Sequence, residues 1–182
     1  MTFDQLIIHR QSVRKYSSQA VEHEKLMQCL DAARLAPSAS NSQPWSFIVL
    51  NDSEQREKVA RATKGPLRSF NNFVSQAPVL VVMMIEKPKL LTEMGGRLKK
   101  KEYPLIDIGI AAEHFCLQAA ELGLGSCMLG WFDEKTIKSI LHIPEEATIG
   151  LIITLGYAPE NYHLRKKVRK PIDQIVRWNS YR

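Results

Sequence analysis

The chain has 182 residues, 45% hydrophobic and 24% charged, the balance of a single domain large enough to bury a substantial core. The net charge of +6 favours anionic partners, but its two basic clusters hold no interleaved aromatics for stacking bases, which argues against nucleic acid. The longest apolar run (77–85) is far too short to span a membrane, Met1-Thr2-Phe3-Asp4-Gln5 lacks the basic start of a signal peptide, and the scattered Cys29, Cys116 and Cys127 fit a reducing cytoplasm.

In chain order, residues 2–10 predict a short helix with Phe3, Leu6 and Ile7 on one face, and residues 10–16 lead away from it. Leu26, Cys29, Leu30 and Ala33 recur at helical spacing over residues 22–35, and Pro37 stops that helix. Residues 45–50, Trp-Ser-Phe-Ile-Val-Leu, predict a strand, after which Asp52 or Ser53 caps a polar helix running to about Thr63. Residues 65–76 are weakly helical at best.

Residues 79–85 read as a strand covered on both faces. Residues 87–102, basic and holding Gly95-Gly96, read as a mobile excursion. Residues 104–122 form the strongest helix, apolar nearly all round, which places it in the middle of the molecule or at a subunit interface. Ser126 to Leu129 predict a short strand broken by Gly130, Asp133 caps a helix over residues 134–141, and residues 149–155 predict a buried strand closed by Gly156. The remainder is a basic tail. At least four strands interleave irregularly with helices and no linker divides them, so residues 1–182 read as one α+β or mixed α/β domain with a central sheet.

Side-chain chemistry is hard to find. The five histidines stand apart, and HExxH, GxSxG, P-loop and GxGxxG patterns are all missing. Glu113 and His114 are neighbours on a helix and so face different ways. Catalysis, if any, falls to a bound cofactor. The basic residues suit an anionic one. Arg10 and Arg14 flank Ser12, and Lys167 and Arg169 point the same way in an extended chain. The run Ala36-Pro37-Ser38-Ala39-Ser40-Asn41-Ser42-Gln43-Pro44-Trp45 offers hydroxyl, amide and backbone donors at close spacing, suited to a flat heterocycle or a phosphate.

Arg10-x-Ser12-x-Arg14-x-Tyr16, the run 36–45, Gly123 to Gly130 after a long apolar helix, and Gly150 to Glu160 followed by Lys-x-Arg together resemble the nitroreductase family. The resemblance covers nearly the whole chain. It implies an α+β fold with a mostly antiparallel central sheet, a long helix at a dimer interface and a carboxy-terminal extension wrapped around the partner. It implies a cytoplasmic homodimer with two interface FMN sites that passes hydride from NAD(P)H through flavin N5 to nitroaromatic, quinone or related acceptors by a ping-pong mechanism. By the match, Arg10, Ser12, Lys167 and Arg169, with Gln11, hold the phosphate and ribityl chain, and Arg14 approaches the pyrimidine edge. Pro37, Ser38, Ala39 and Asn41 come from the other subunit. Met128, Leu129 and Gly130 lie along the ring, with a backbone N–H of Leu129 or Gly130 aimed at N5. No catalytic side chain and no metal is expected. Asn71 or Asn72 is a further candidate contact. Relatives of the fold that dehalogenate, dehydrogenate other substrates or store flavin are the alternatives.

Overall fold

A computed structural model describes residues 1–64, 71–86 and 101–181. Residues 65–70, part of the stretch read as weakly helical at best, and residues 87–100, most of the stretch read as a mobile excursion and holding Arg97, Lys99 and Lys100, lie outside the described residues.

The elements follow in the order α1 (Phe3–His9), α2 (His23–Arg34), a 3-10 turn (Ala39–Asn41), β1 (Trp45–Leu50), α3 (Ser53–Ala62), a second 3-10 turn (Asn72–Gln76) and β2 (Val79–Ile85). After these come α4 (Tyr103–Glu121), β3 (Gly125–Leu129), α5 (Glu134–Leu141), β4 (Thr148–Gly156) and α6 (Ile172–Ile175). The caps are those the side chains dictate. Thr2 closes a capping box with Gln5, Asp52 accepts from the Gln55 amide, and Asp133 accepts from the Thr136 amide.

The four strands form one antiparallel sheet in the order β1-β2-β4-β3. Its alternation feeds two cores. Val79, Val81 and Met83 of β2 face α2 and α4 together with Phe115 and Leu155, while Leu80, Val82 and Met84 face Val59, Val74 and Ile137 on the other side. Helices on both faces explain why β2 is apolar at every position.

The β2–β4 register slips between Met83 and Met84, whose partners are Leu151 and Ile149, so Gly150 is left as a bulge. A Cβ there would stand 2.8 Å from Ile108 Cδ1 on α4, and the bulged glycine lets the helix settle onto the sheet.

Within this chain the long apolar helix α4, expected in the middle of the molecule or at a subunit interface, is covered along one face. Buried residues on α4 fall in neighbouring pairs every four positions, Asp107 and Ile108, Ala111 and Ala112, Phe115 and Cys116, Ala119 and Ala120, which make one stripe. Leu105 and Ile106, outside that stripe, are 51% and 54% exposed.

Candidate functional site

Residues 10–16 leave α1 because its cap, Arg10, takes an extended ψ of 120°. The segment then runs beside the edge strand β3. Ser12 and Ser126 form a parallel bridge, and the Val13 amide donates to the Ser126 carbonyl at 2.9 Å. Gly125 makes that contact possible, since a Cβ there would lie 2.7 Å from Val13 Cγ2. Val13 is buried, and the alternation leaves Ser12 half-buried and Arg14 exposed.

The chain returns to this segment after β4. The Gln11 side chain donates to the His163 carbonyl at 3.3 Å and accepts from Arg165 N and Nε, both at 3.2 Å. Arg165 also donates to the Ser12 carbonyl, and the Lys167 ammonium donates to the Arg10 carbonyl. The Tyr162 hydroxyl accepts from the Arg14 amide at 3.0 Å.

Between the two segments lies a cavity of about 300 Å³. Six of its nine lining residues are cations, Arg10, Arg14, Arg165, Lys166, Lys167 and Arg169, and none is acidic. Ser12 and Gln11 add neutral polar groups. Behind the cavity, Arg10 Nε stands 3.2 Å from a Glu113 carboxylate oxygen, a charge contact without the alignment of a hydrogen bond. Burial, followed by the Arg10 and Arg169 charges, pushes the Lys167 ammonium below the ordinary lysine range. Positive charge gathered this way lacks matching negative charge in the lining, and a phosphate group would relieve the repulsion.

The predicted residues therefore separate into three places. Arg10, Gln11, Ser12, Arg14, Lys167 and Arg169 converge on the cavity. Met128, Leu129 and Gly130 form the outgoing end of β3, on the side toward which residues 12–14 run in parallel. Among the described residues, and apart from its two chain neighbours, nothing stands within 4 Å of a Cβ placed on Gly130. Pro37, Ser38, Ala39 and Asn41 do not line the cavity. They form a turn after α2 in which Ser40, Asn41 and Gln43 have φ of 52°, 50° and 49°, left-handed values that side-chain-bearing residues rarely adopt. Ser38 Oγ accepts from the Gln43 amide at 2.9 Å, and the Gln43 side-chain amide donates to Asn41 Oδ1 at 2.9 Å.

Asn71 also has a local task. Its side-chain amide donates to the carbonyls of Thr63 at 3.0 Å and Trp131 at 3.3 Å, tying its turn to the residue after Gly130. Asn72 begins the second 3-10 turn. His114 Nδ1 lies 3.3 Å from the Ala32 carbonyl while Glu113 serves Arg10, so these neighbours do face apart.

Two participants are absent from the sequence expectation. Arg165 clasps Gln11 and Ser12, and its only signal in the sequence is membership of the basic run 165–170. Asp107 reaches the Ala39 amide from the second turn of α4, where an acid between Ile106 and Ile108 is its signal. Among the described residues, no helix is long and apolar enough to cross a membrane, and no cluster of three His, Cys, Asp or Glu could hold a metal.

The Nitroreductase family profile matches residues 7–70 and 66–157, and the chain belongs to the nitroreductase family. A relative from Archaeoglobus fulgidus, provisionally named an NADH dehydrogenase/NAD(P)H nitroreductase, is 33% identical over 160 residues, 84% of this chain and 83% of its own. A solved structure of an FMN-dependent nitroreductase from Clostridium difficile R20291 is 32% identical, with a TM-score of 0.75 over 97% of this chain and 98% of that one. An iodotyrosine deiodinase from Haliscomenobacter hydrossis is 25% identical over 177 residues, 86% of this chain and 79% of its own.

Proposed function

We propose that this protein is a single-domain FMN-dependent oxidoreductase that takes hydride from NAD(P)H and delivers it to nitroaromatic, quinone or related acceptors. The observation that carries the reading is the cation-lined cavity, which unites Arg10, Ser12, Lys167 and Arg169 from opposite ends of the chain. Those residues fit a phosphate monoester. Arg10 and Arg169 offer forked donors, Lys167 a point charge, and Ser12 a hydroxyl. When bound, FMN supplies a two-electron hydride carrier that no side chain here can replace.

The remaining residues bind and tune. Arg14, beside the end of β3, stabilises negative charge that reduction places on a pyrimidine edge and so raises the reduction potential. Leu129 and Gly130 offer backbone donors that never titrate. The donor and the acceptor take turns at one site.

We further propose a cytoplasmic homodimer with two such sites, each completed by Pro37, Ser38, Ala39 and Asn41 of the partner. Three features support it. That turn lies away from its own chain's cavity. A groove of about 490 Å³ between α2 and β1, lined by Met27, Leu30, Trp45 and Phe47, follows the sheet edge formed by β1. The tail carries Ile172, Ile175 and Trp178 at 71%, 62% and 84% exposure, apolar surface that a second copy would cover.

The test is a visible absorption spectrum of the purified protein, followed by anaerobic NADH or NADPH. Flavin bands that bleach are expected. A protein that takes up no FMN overturns the reading. The iodotyrosine deiodinase relative favours a second reading, reductive dehalogenation at the same site. Turnover of an iodotyrosine in preference to nitro compounds and quinones would establish it.

A further inference from the structure

Asp107 is 3% exposed on the buried stripe of α4, yet it is a carboxylate among Ile108, Ala111 and Phe115. Such a group is expensive to bury without strong partners. Both of its oxygens lie within hydrogen-bond distance of the Ala39 amide, at 3.1 and 3.2 Å. Among the described residues no Lys, Arg or His forms an ion pair with it. Its charge is therefore aimed at the first amide of the Ala39–Asn41 turn.

That turn cannot hold its shape by propensity. Ser40, Asn41 and Gln43 all hold left-handed backbone that side-chain-bearing residues disfavour, so the surroundings must impose it. The bonds within the turn, Gln43 to Ser38 and Gln43 to Asn41, fix its internal shape but not its place in the molecule. Asp107 does the latter. Its hydrogen bond to the Ala39 amide ties the turn to α4, across 68 residues of sequence.

We propose that Asp107 is a positioning residue for the cofactor site: it holds the Pro37–Asn41 turn at the height on α4 from which those residues reach the FMN of the partner subunit. This rests on the FMN reading above. The carboxylate touches neither cofactor nor substrate and acts through Ala39.

The test compares wild type, Asp107→Ala and Asp107→Asn by FMN titration and by amide hydrogen exchange on the cofactor-free protein. Asp107→Ala is expected to weaken FMN binding about 10- to 100-fold, the loss typical of a hydrogen bond to a charged acceptor. Exchange should quicken over residues 37–43 and remain unchanged over 10–16. Asp107→Asn keeps one acceptor and nearly the same volume, and should recover most of both. If Asp107→Ala does not fold, Asp107→Asn decides, with a smaller fall in affinity and faster exchange over 37–43 expected. Wild-type affinity in folded Asp107→Ala overturns the proposal, whether or not exchange quickens, because the tether would then not position the turn for binding; where the alanine variant does not fold, the absence of any fall in Asp107→Asn overturns it. A wild-type protein that takes up no FMN sinks the FMN reading instead, and the exchange comparison still reports on the tether.

Discussion

Tyr16 and Thr154 share a 2.6 Å hydrogen bond inside the core, and the same phenolic oxygen donates to the Val13 carbonyl at 2.9 Å. Thr154, whose one proton the bond to Tyr16 uses, also holds its Oγ1 3.3 Å from the Cys127 carbonyl. One pair of hydroxyls thus links the segment carrying Arg10 and Arg14 to both β3 and β4. Burial raises the Tyr16 phenol far above its ordinary pKa, so it stays protonated at any pH the protein meets.

Tyr16→Phe removes one hydroxyl and leaves the Val13 carbonyl short of its donor in the core. The expected loss is about 1–3 kcal/mol of stability, read as a lower midpoint in urea unfolding. An unchanged midpoint would show the Tyr16–Thr154 pair to be dispensable.

Gly125→Ala tests the close approach of residues 12–14 to β3. The new methyl would meet Val13 Cγ2 at 2.7 Å and force the segment outward. A loss of about 1–3 kcal/mol is expected, with weaker FMN binding because Arg10 and Ser12 move together. Adding Val13→Ala makes room, so the double variant should be less destabilised than the two single losses combined. Strict additivity would show that the clash is not the cause.

Lys167 gives the phosphate site its pH dependence. Burial, then Arg10 and Arg169, lower its pKa, and an anionic ligand gains only from the charged form. Affinity for FMN should hold near neutrality and fall as pH rises through that lowered value, which lies beneath the ordinary 10.5. Lys167→Arg stays charged and should lose this alkaline fall, whereas Lys167→Ala should bind roughly 10-fold or more weakly near neutrality, a deficit that closes as pH rises and the wild-type lysine loses its charge. Fluorescence titrations across neutral to alkaline pH read all three.

The cysteines should be inert. Burial pushes the thiols of Cys29 and Cys116 up to about 12 and raises that of Cys127 as well. All three are free and buried. An aromatic disulfide reagent should modify none of them in the native protein and all of them after unfolding. Rapid labelling of the folded protein would contradict this burial.

What the sequence announces is what local pattern controls. The strands at Trp45–Leu50 and Val79–Ile85, and the Asp133-capped helix Glu134–Leu141, stand where composition and capping put them, because period and cap are properties of neighbouring residues. The family resemblance rested on the same short-range patterns, and the nitroreductase fold followed. Long-range pairings were not legible. Nothing in the basic run 165–170 says that Arg165 will grip Gln11 and Ser12, and nothing near Asp107 names Ala39 as its partner. The bulge at Gly150 is equally silent in the sequence, since it depends on where Ile108 of another element comes to rest. The apolar circumference of α4 is silent for a related reason on which face its own chain covers, because hydropathy does not name the neighbours.

The cation cavity also has a consequence for the order in which the protein is made. Gly156 ends the last strand before Arg165, Lys167 or Arg169 has been added. A nascent chain therefore carries Arg10 and Ser12 long before the other half of its phosphate cradle has been synthesised. Ligand loading becomes a post-translational event, and the newborn chain must stay soluble through that interval on its own packing, without help from the molecule it is built to hold.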